Sequence, residues 1–163
     1  MKRTAKMLVL AGLLVPAVLT FDAEAEVRWL VGGKFGMSLV TGGGSTDAGL
    51  QIGPMGEALI TKNMAVGSEF TVNTQAGTPV IWANYFKYYF DVQGSDIKPY
   101  ADAGFGLTFV TGGPYFGINF GGGANFPIAK NLYIPADLQL GPIFTTPARF
   151  LMGFTSGIRY VIP

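Results

Sequence analysis

From Val27 onward the chain alternates apolar and polar positions with a period of two, and no stretch carries the spacing of an amphipathic helix. The alternating runs are broken by Gly, Pro, Asn and Asp. They predict strands at 27–41, 49–60, 64–75, 80–91, 99–111, 115–126, 132–144 and 149–162. The connections GGGSTDA, TKN, AGTP, VQGSDIKP, GGP, PIAKN and TTPAR are short, so each neighbouring pair is expected to form an antiparallel hairpin. Soluble strands usually run about five or six residues. A strand that crosses a bilayer needs roughly 9–11, and these are long enough.

One face of every strand is free of charge. On the first it reads Val27, Trp29, Val31, Gly33, Phe35, Met37, Leu39; on the last, Phe150, Met152, Phe154, Ser156, Ile158, Tyr160. Across all strands only Ser68, Asn84 and Ser156 are clearly polar on this face. The opposite face carries Arg28, Lys34, Glu57, Glu69, Lys87, Asp102, Asp137 and Arg159 among Gly, Asn, Gln, Thr and Tyr. A soluble barrel or sandwich would bury the apolar face and wet the other. A membrane barrel does the reverse. The Gly-rich, sparsely charged polar face suits a narrow lumen. The apolar face carries aromatics near both ends: Trp82, Phe109, Phe116, Phe144 and Phe150 at one, Trp29, Tyr88, Phe90, Phe126 and Tyr160 at the other. Two aromatic girdles around an apolar band mark a transmembrane barrel.

The N-terminus reads as an address. Lys2, Arg3 and Lys6 precede an apolar run over residues 7–21, and Ala23 and Ala25 follow in small-x-small order. This is a secretory signal, expected to be cleaved after Ala25. The run is short for a spanning helix, which needs about 20 residues. The domains are then a signal peptide, 1–25, and a barrel domain, 26–163. Removing the signal leaves equal numbers of basic and acidic residues, which argues against nucleic acid. The chain contains neither cysteine nor histidine. That removes disulfides, thiolate metal sites, the commonest general base and the commonest zinc ligand. No cofactor, no metal and no enzymatic activity are expected.

Two stretches carry a family likeness. Lys98-Pro99-Tyr100-Ala101-Asp102-Ala103-Gly104-Phe105-Gly106 resembles a recurrent K-P-Y-x-x-x-G-x-G strand, and Gly157-Ile158-Arg159-Tyr160 resembles a closing G-x-R-Y strand. Both are similar to the OmpA-, OmpX- and opacity-protein-like superfamily of small outer-membrane barrels. The resemblance implies an all-β, eight-stranded, antiparallel up-and-down transmembrane β-barrel in the bacterial outer membrane, with both mature termini periplasmic. Its implied partners are outer-membrane lipids and, through the C-terminal strand, the barrel-assembly machinery. The chain departs from the family in ending Tyr160-Val161-Ile162-Pro163 rather than on an aromatic. Adhesive members carry long surface loops, and here the corresponding loops are short. Enzymatic barrels of similar size rely on a catalytic histidine, which this chain lacks.

An eight-stranded lumen is roughly filled by side chains, and buried charges need partners. Hairpin register places Lys34 near Glu57, Glu57 diagonal to Glu69, Glu69 near Lys87, Lys87 opposite Asp102, and Asp137 diagonal to Arg159. A closed charge network is the expected result; a catalytic Glu57–Glu69 pair is the sharper alternative. Gly117, Gly121 and Gly123 lie two apart on one strand face, where they make room rather than form a phosphate loop. Pro54, Pro135 and Pro142 fall inside strands and cannot donate to a ladder, so each implies a bulge or a gap. Such a gap could admit a lipid or small apolar ligand sideways. The function expected is a non-enzymatic membrane barrel with a structural or envelope-interaction role. The alternatives are a lipid- or apolar-ligand-binding barrel and a soluble secreted binding barrel.

Overall fold

The computed structural model describes residues 27–163. The expected signal peptide and its cleavage point lie outside the described residues. The strands are β1 (Arg28–Gly42), β2 (Ser45–Leu59), β3 (Met64–Asn73), β4 (Val80–Tyr89), β5 (Lys98–Val110), β6 (Gly113–Ala129), β7 (Leu132–Ile143) and β8 (Arg149–Val161). They close in sequence order into one antiparallel barrel, with β8 returning to β1. The number, order and approximate bounds of the strands match the sequence pattern.

Alternation decides which side chain goes where. On β8, Leu151, Thr155, Arg159 and Val161 are buried, while Met152, Phe154, Ile158 and Tyr160 are exposed. The same division holds around the barrel, with Phe35, Leu50, Ile52, Phe70, Phe120 and Leu138 all outside. The charge-free face therefore points outward, and the inverted soluble barrel is excluded. All ten girdle aromatics lie on this outer surface, with Trp29, Trp82 and Phe150 half-buried. Phenylalanines also occupy the depths between the girdles. Phe105, Phe116 and Phe144 stack across strands at 6.3 and 6.0 Å between ring centres, and Phe70 stacks on Trp82 at 5.9 Å.

The first connection is tighter than its sequence suggested. GGGSTDA reads as a seven-residue loop, but only Gly43 and Gly44 separate the paired Gly42 and Ser45. Both have positive φ, 63° and 83°. That is the hairpin turn whose twist matches the strands, and side chains at those positions would strain it.

Pro54, Pro135 and Pro142 each sit at a gap and not at a bulge. Pairing of β2 with β3 is missing at Gly53–Pro54, that of β7 with β8 at Ile134–Pro135, and that of β6 with β7 at Gly141–Pro142. Register is kept across all three. Pro54 is exposed on the outer face, Pro142 is half-buried there, and Pro135 is buried on the lumen side. The one register shift between β6 and β7 falls at Pro127–Ala129, near the β6–β7 turn.

The lumen is filled in layers. At the end carrying both termini, Leu30, Met55, Leu59, Ala65, Tyr85, Tyr89, Tyr100 and Val161 form an apolar cluster. Toward the far end, Val40, Ile81, Ala83, Ile143 and Leu151 form a second. The buried charges lie between and against these layers.

Candidate functional site

The ion pairs of the lumenal network come from inward positions on six strands. Glu57 (β2) accepts from Lys87 Nζ at 2.5 Å, Tyr89 hydroxyl at 2.6 Å and Tyr85 hydroxyl at 3.0 Å. Lys34 (β1) pairs with Glu69 (β3) at 2.6 Å, and Gln139 adds a longer bond to the same oxygen at 3.4 Å. Arg159 (β8) grips both Asp137 oxygens, at 2.8 and 3.1 Å, and donates to Asn125 Oδ1 at 2.8 Å. Tyr100 also donates to Asp137. The six paired side chains are all at least nine-tenths buried as residues.

These pairings differ from those read off hairpin register. Lys34 takes Glu69 rather than Glu57, and Lys87 takes Glu57 rather than Glu69 or Asp102. Lys87 and Asp102 are register partners, as expected. Yet Asp102 forms no ion pair among the described residues, because the Lys87 ammonium leans the other way, to Glu57. Glu57 and Glu69 are diagonal neighbours, as expected, but each holds its own cation. The Arg159–Asp137 pair forms, but not between diagonal neighbours, since Asp137 faces Thr155 and Arg159 faces Tyr133.

Arg28 must be removed from the network. It has the right parity but opens β1 at the barrel mouth, where it is exposed. A long cation there reaches water and needs no lumenal partner. The interior therefore holds three cations, Lys34, Lys87 and Arg159, against four carboxylates, Glu57, Glu69, Asp102 and Asp137.

Sequence reasoning missed a tyrosine cage. Lys87 Nζ lies 4.3, 4.8 and 5.9 Å from the ring centres of Tyr100, Tyr85 and Tyr89, and Arg159 lies 5.1 Å from that of Tyr100. The rings give the cation both a π face and hydroxyls that satisfy its counter-ion. The available signal was three tyrosines on lumen parity, one of them in Lys98-Pro99-Tyr100. The glycines of β6 fit the room-making role: a Cβ at Gly123 would stand 2.7 Å from the Tyr100 hydroxyl, and one at Gly121 3.1 Å from Asp102 Oδ1.

Chemically the arrangement is three buried ion pairs, with Asp102 left over. Glu57, the candidate catalytic carboxylate, already accepts three hydrogen bonds, and apolar layers separate it from both ends. Among the described residues no cluster of Asp and Glu converges as a metal site would require.

No protein-family model matches the chain, and no curated protein matches it in sequence. Solved structures do. Neisserial surface protein A is similar over 81% of this chain and 96% of its own, at 14% identity and a TM-score of 0.69. The N-terminal β-barrel domain of Pseudomonas aeruginosa OprF matches over 83% and 100%, at 15% identity and 0.58. The Pseudomonas aeruginosa outer membrane protein OprG matches over 85% and 97%, at 9% identity and 0.58. At such identities the likeness is one of fold: the chain has the architecture of the small eight-stranded outer-membrane β-barrels.

Proposed function

We propose that this chain is a non-enzymatic integral outer-membrane barrel whose lumen is sealed, serving a structural or envelope-interaction role. The termini end faces the periplasm. The observation that carries the reading is the inversion of the usual globular arrangement, with large apolar side chains outside and paired charges within. An exposed band of this extent is stable only against hydrocarbon. The fold shared with OprG, itself named an outer membrane protein, supports the compartment. The short far-end turns argue against adhesion. Membrane fractionation with a heat-modifiability gel tests the reading: the unheated protein is expected in outer-membrane fractions and to migrate faster than the boiled form. Recovery in the soluble periplasm would overturn it.

A second reading, lateral access for a small apolar ligand, is favoured at one seam. A cavity of about 20 Å³ lies where β6 and β7 lose their pairing. It is bounded by outward-facing Ile118 and Pro142 as well as by inward-facing Ala83, Thr108 and Leu151. Both polar atoms of the Asn119 amide are buried there without a partner. That volume suits a water, which needs roughly 10–15 Å³, so admitting anything larger requires the seam to part. Amide hydrogen exchange in lipid checks this: the Ile118 amide, which faces Pro142 across the gap, is expected to exchange faster than amides of the β4–β5 seam, and equal protection would remove the reading.

A further inference from the structure

The lumen holds one carboxylate more than it holds cations. Lys34, Lys87 and Arg159 are each taken, by Glu69, Glu57 and Asp137. Asp102 makes no ion pair among the described residues. It does not sit at a wet mouth, as Arg28 does. Tyr100, two positions nearer the termini end on β5, belongs to the apolar cluster that closes that end. Yet Asp102 is only half-buried, so open space lies beside it inside the wall. A charge held away from bulk water without a partner is strongly destabilising.

The register shows what faces it. Asp102 is opposite Gly121, and Gly104 is opposite Asn119. These four inward positions make a square, with glycine at two corners and Asp102 and Asn119 across the diagonal. Diagonal neighbours stand roughly 7–8 Å apart, and neither glycine raises a side chain between them. The carboxylate leans over the Gly121 corner, where an added Cβ would stand 3.1 Å from Oδ1. Asn119 is buried, and neither its amide oxygen nor its amide nitrogen has a partner. On β7, Gln139 is opposite Gly121, so the carboxylate leans toward it. The Gln139 nitrogen is turned to Glu69, which leaves the amide oxygen for another partner. Asn119 and Gln139 both border the cavity of about 20 Å³ described above, which has room for a guest the size of a water.

We infer that this square binds one monovalent inorganic cation, held by the Asp102 carboxylate and the amide oxygens of Asn119 and Gln139. The inference rests on the sealed lumen proposed above, since bulk water in an open lumen would compensate the charge by itself. The charge count selects the valence: four carboxylates against three cations leave a single negative charge, and a divalent ion would only reverse the imbalance. Carboxylate and carbonyl oxygens are the donors that replace the water shell of a hard cation. A proton would neutralise Asp102 but leave the Asn119 oxygen as it is, because the two groups do not hydrogen-bond. A cation between them serves both.

The test uses the protein folded into phosphatidylcholine vesicles, with heat-modifiable migration confirming the folded barrel for each variant. Urea unfolding midpoints are compared in sodium, potassium and choline chloride at equal ionic strength, choline being too large for the site. The wild type is expected to unfold at higher urea in sodium or potassium chloride than in choline chloride. Its midpoint is expected to rise with the concentration of that ion, as linkage requires. Asp102→Asn, which keeps the size and removes the charge, is expected to abolish the difference, and Asn119→Leu to shrink it. Equal wild-type midpoints in all three salts overturn the inference. So does an alkali-ion effect that both variants leave intact, since the ion would then bind elsewhere. A steady current through the wild type in a planar bilayer would be a failure of the sealed-lumen reading; the midpoints, being equilibrium measurements, still decide the site.

Discussion

Lys87 is the residue on which the lumen turns, because Glu57 and three tyrosines are arranged around it. Lys87→Met leaves the Glu57 charge buried with only hydroxyl donors. Breaking a buried pair from one side costs about 3–5 kcal/mol, and that loss is expected in denaturant unfolding from lipid vesicles. Adding Glu57→Gln is expected to restore part of it, whereas adding Asp102→Leu is not. The contrast discriminates the observed pairing from the one suggested by register. Asp102→Asn alone is expected to cost less than Asp137→Asn, since only Asp137 holds a guanidinium. Parity in the sequence revealed which side chains turn inward, but not how deep they lie or how far they reach. Arg28 shows the first limit, having lumen parity at a wet mouth. Lys34 shows the second: its ammonium passes over its register neighbourhood on β2 to meet Glu69 on β3. A cation on a four-carbon stem chooses its partner across the lumen, and strand register does not encode that choice.

At the scale of the strand, depth sets the cost of a misplaced charge. Leu138→Arg, on the outer face in the middle of β7, is expected to lose about 2–4 kcal/mol. Leu39→Arg, near the far end of β1, is expected to lose about 0–1. Unfolding in vesicles checks both, and equal losses would contradict a bilayer-facing band. Strand count, order and face were legible because period-two alternation runs almost unbroken through each segment. Less legible were the ends: the sequence around Gly43–Gly44 resembles a long loop, yet pairing continues to Gly42 and Ser45 because two positive-φ glycines complete the turn. The prolines mark gaps without revealing whether register survives them. Beyond the termini end of β4, Asp91 accepts from Asn63 and Lys62, both at 3.2 Å. These bonds, the Asn63 bond foremost, hold its carboxyl below the usual carboxylate range. Their contribution is present at neutral pH and fades as pH falls through that lowered value. Asn63→Ala is expected to move the titration back toward about 3.9, as side-chain NMR would register.

At the scale of the whole barrel, the sealed lumen proposed above rests on two apolar clusters, one on either side of the charges. Planar-bilayer recording is expected to show no large, steady conductance, and trimming Ile143 and Leu151 together to Ala is expected not to open one while the tyrosine-rich layer remains. A stable nanosiemens current in the wild type would replace the sealed lumen with a channel. The seam between β1 and β8 carries a further consequence, for the order of events during folding. Its pairs, from Leu30↔Val161 to Thr41↔Phe150, join residues from opposite ends of the barrel sequence. No part of that seam can form until β8 has been made and released. Until then β1 and β7 present unpaired edges in which every amide seeks a neighbour. Non-local pairing of this kind is slow, and a chain with so much exposed phenylalanine is prone to aggregate while it waits. The chain is therefore expected to need shielding while it waits, and the last strand made decides when the wait is over.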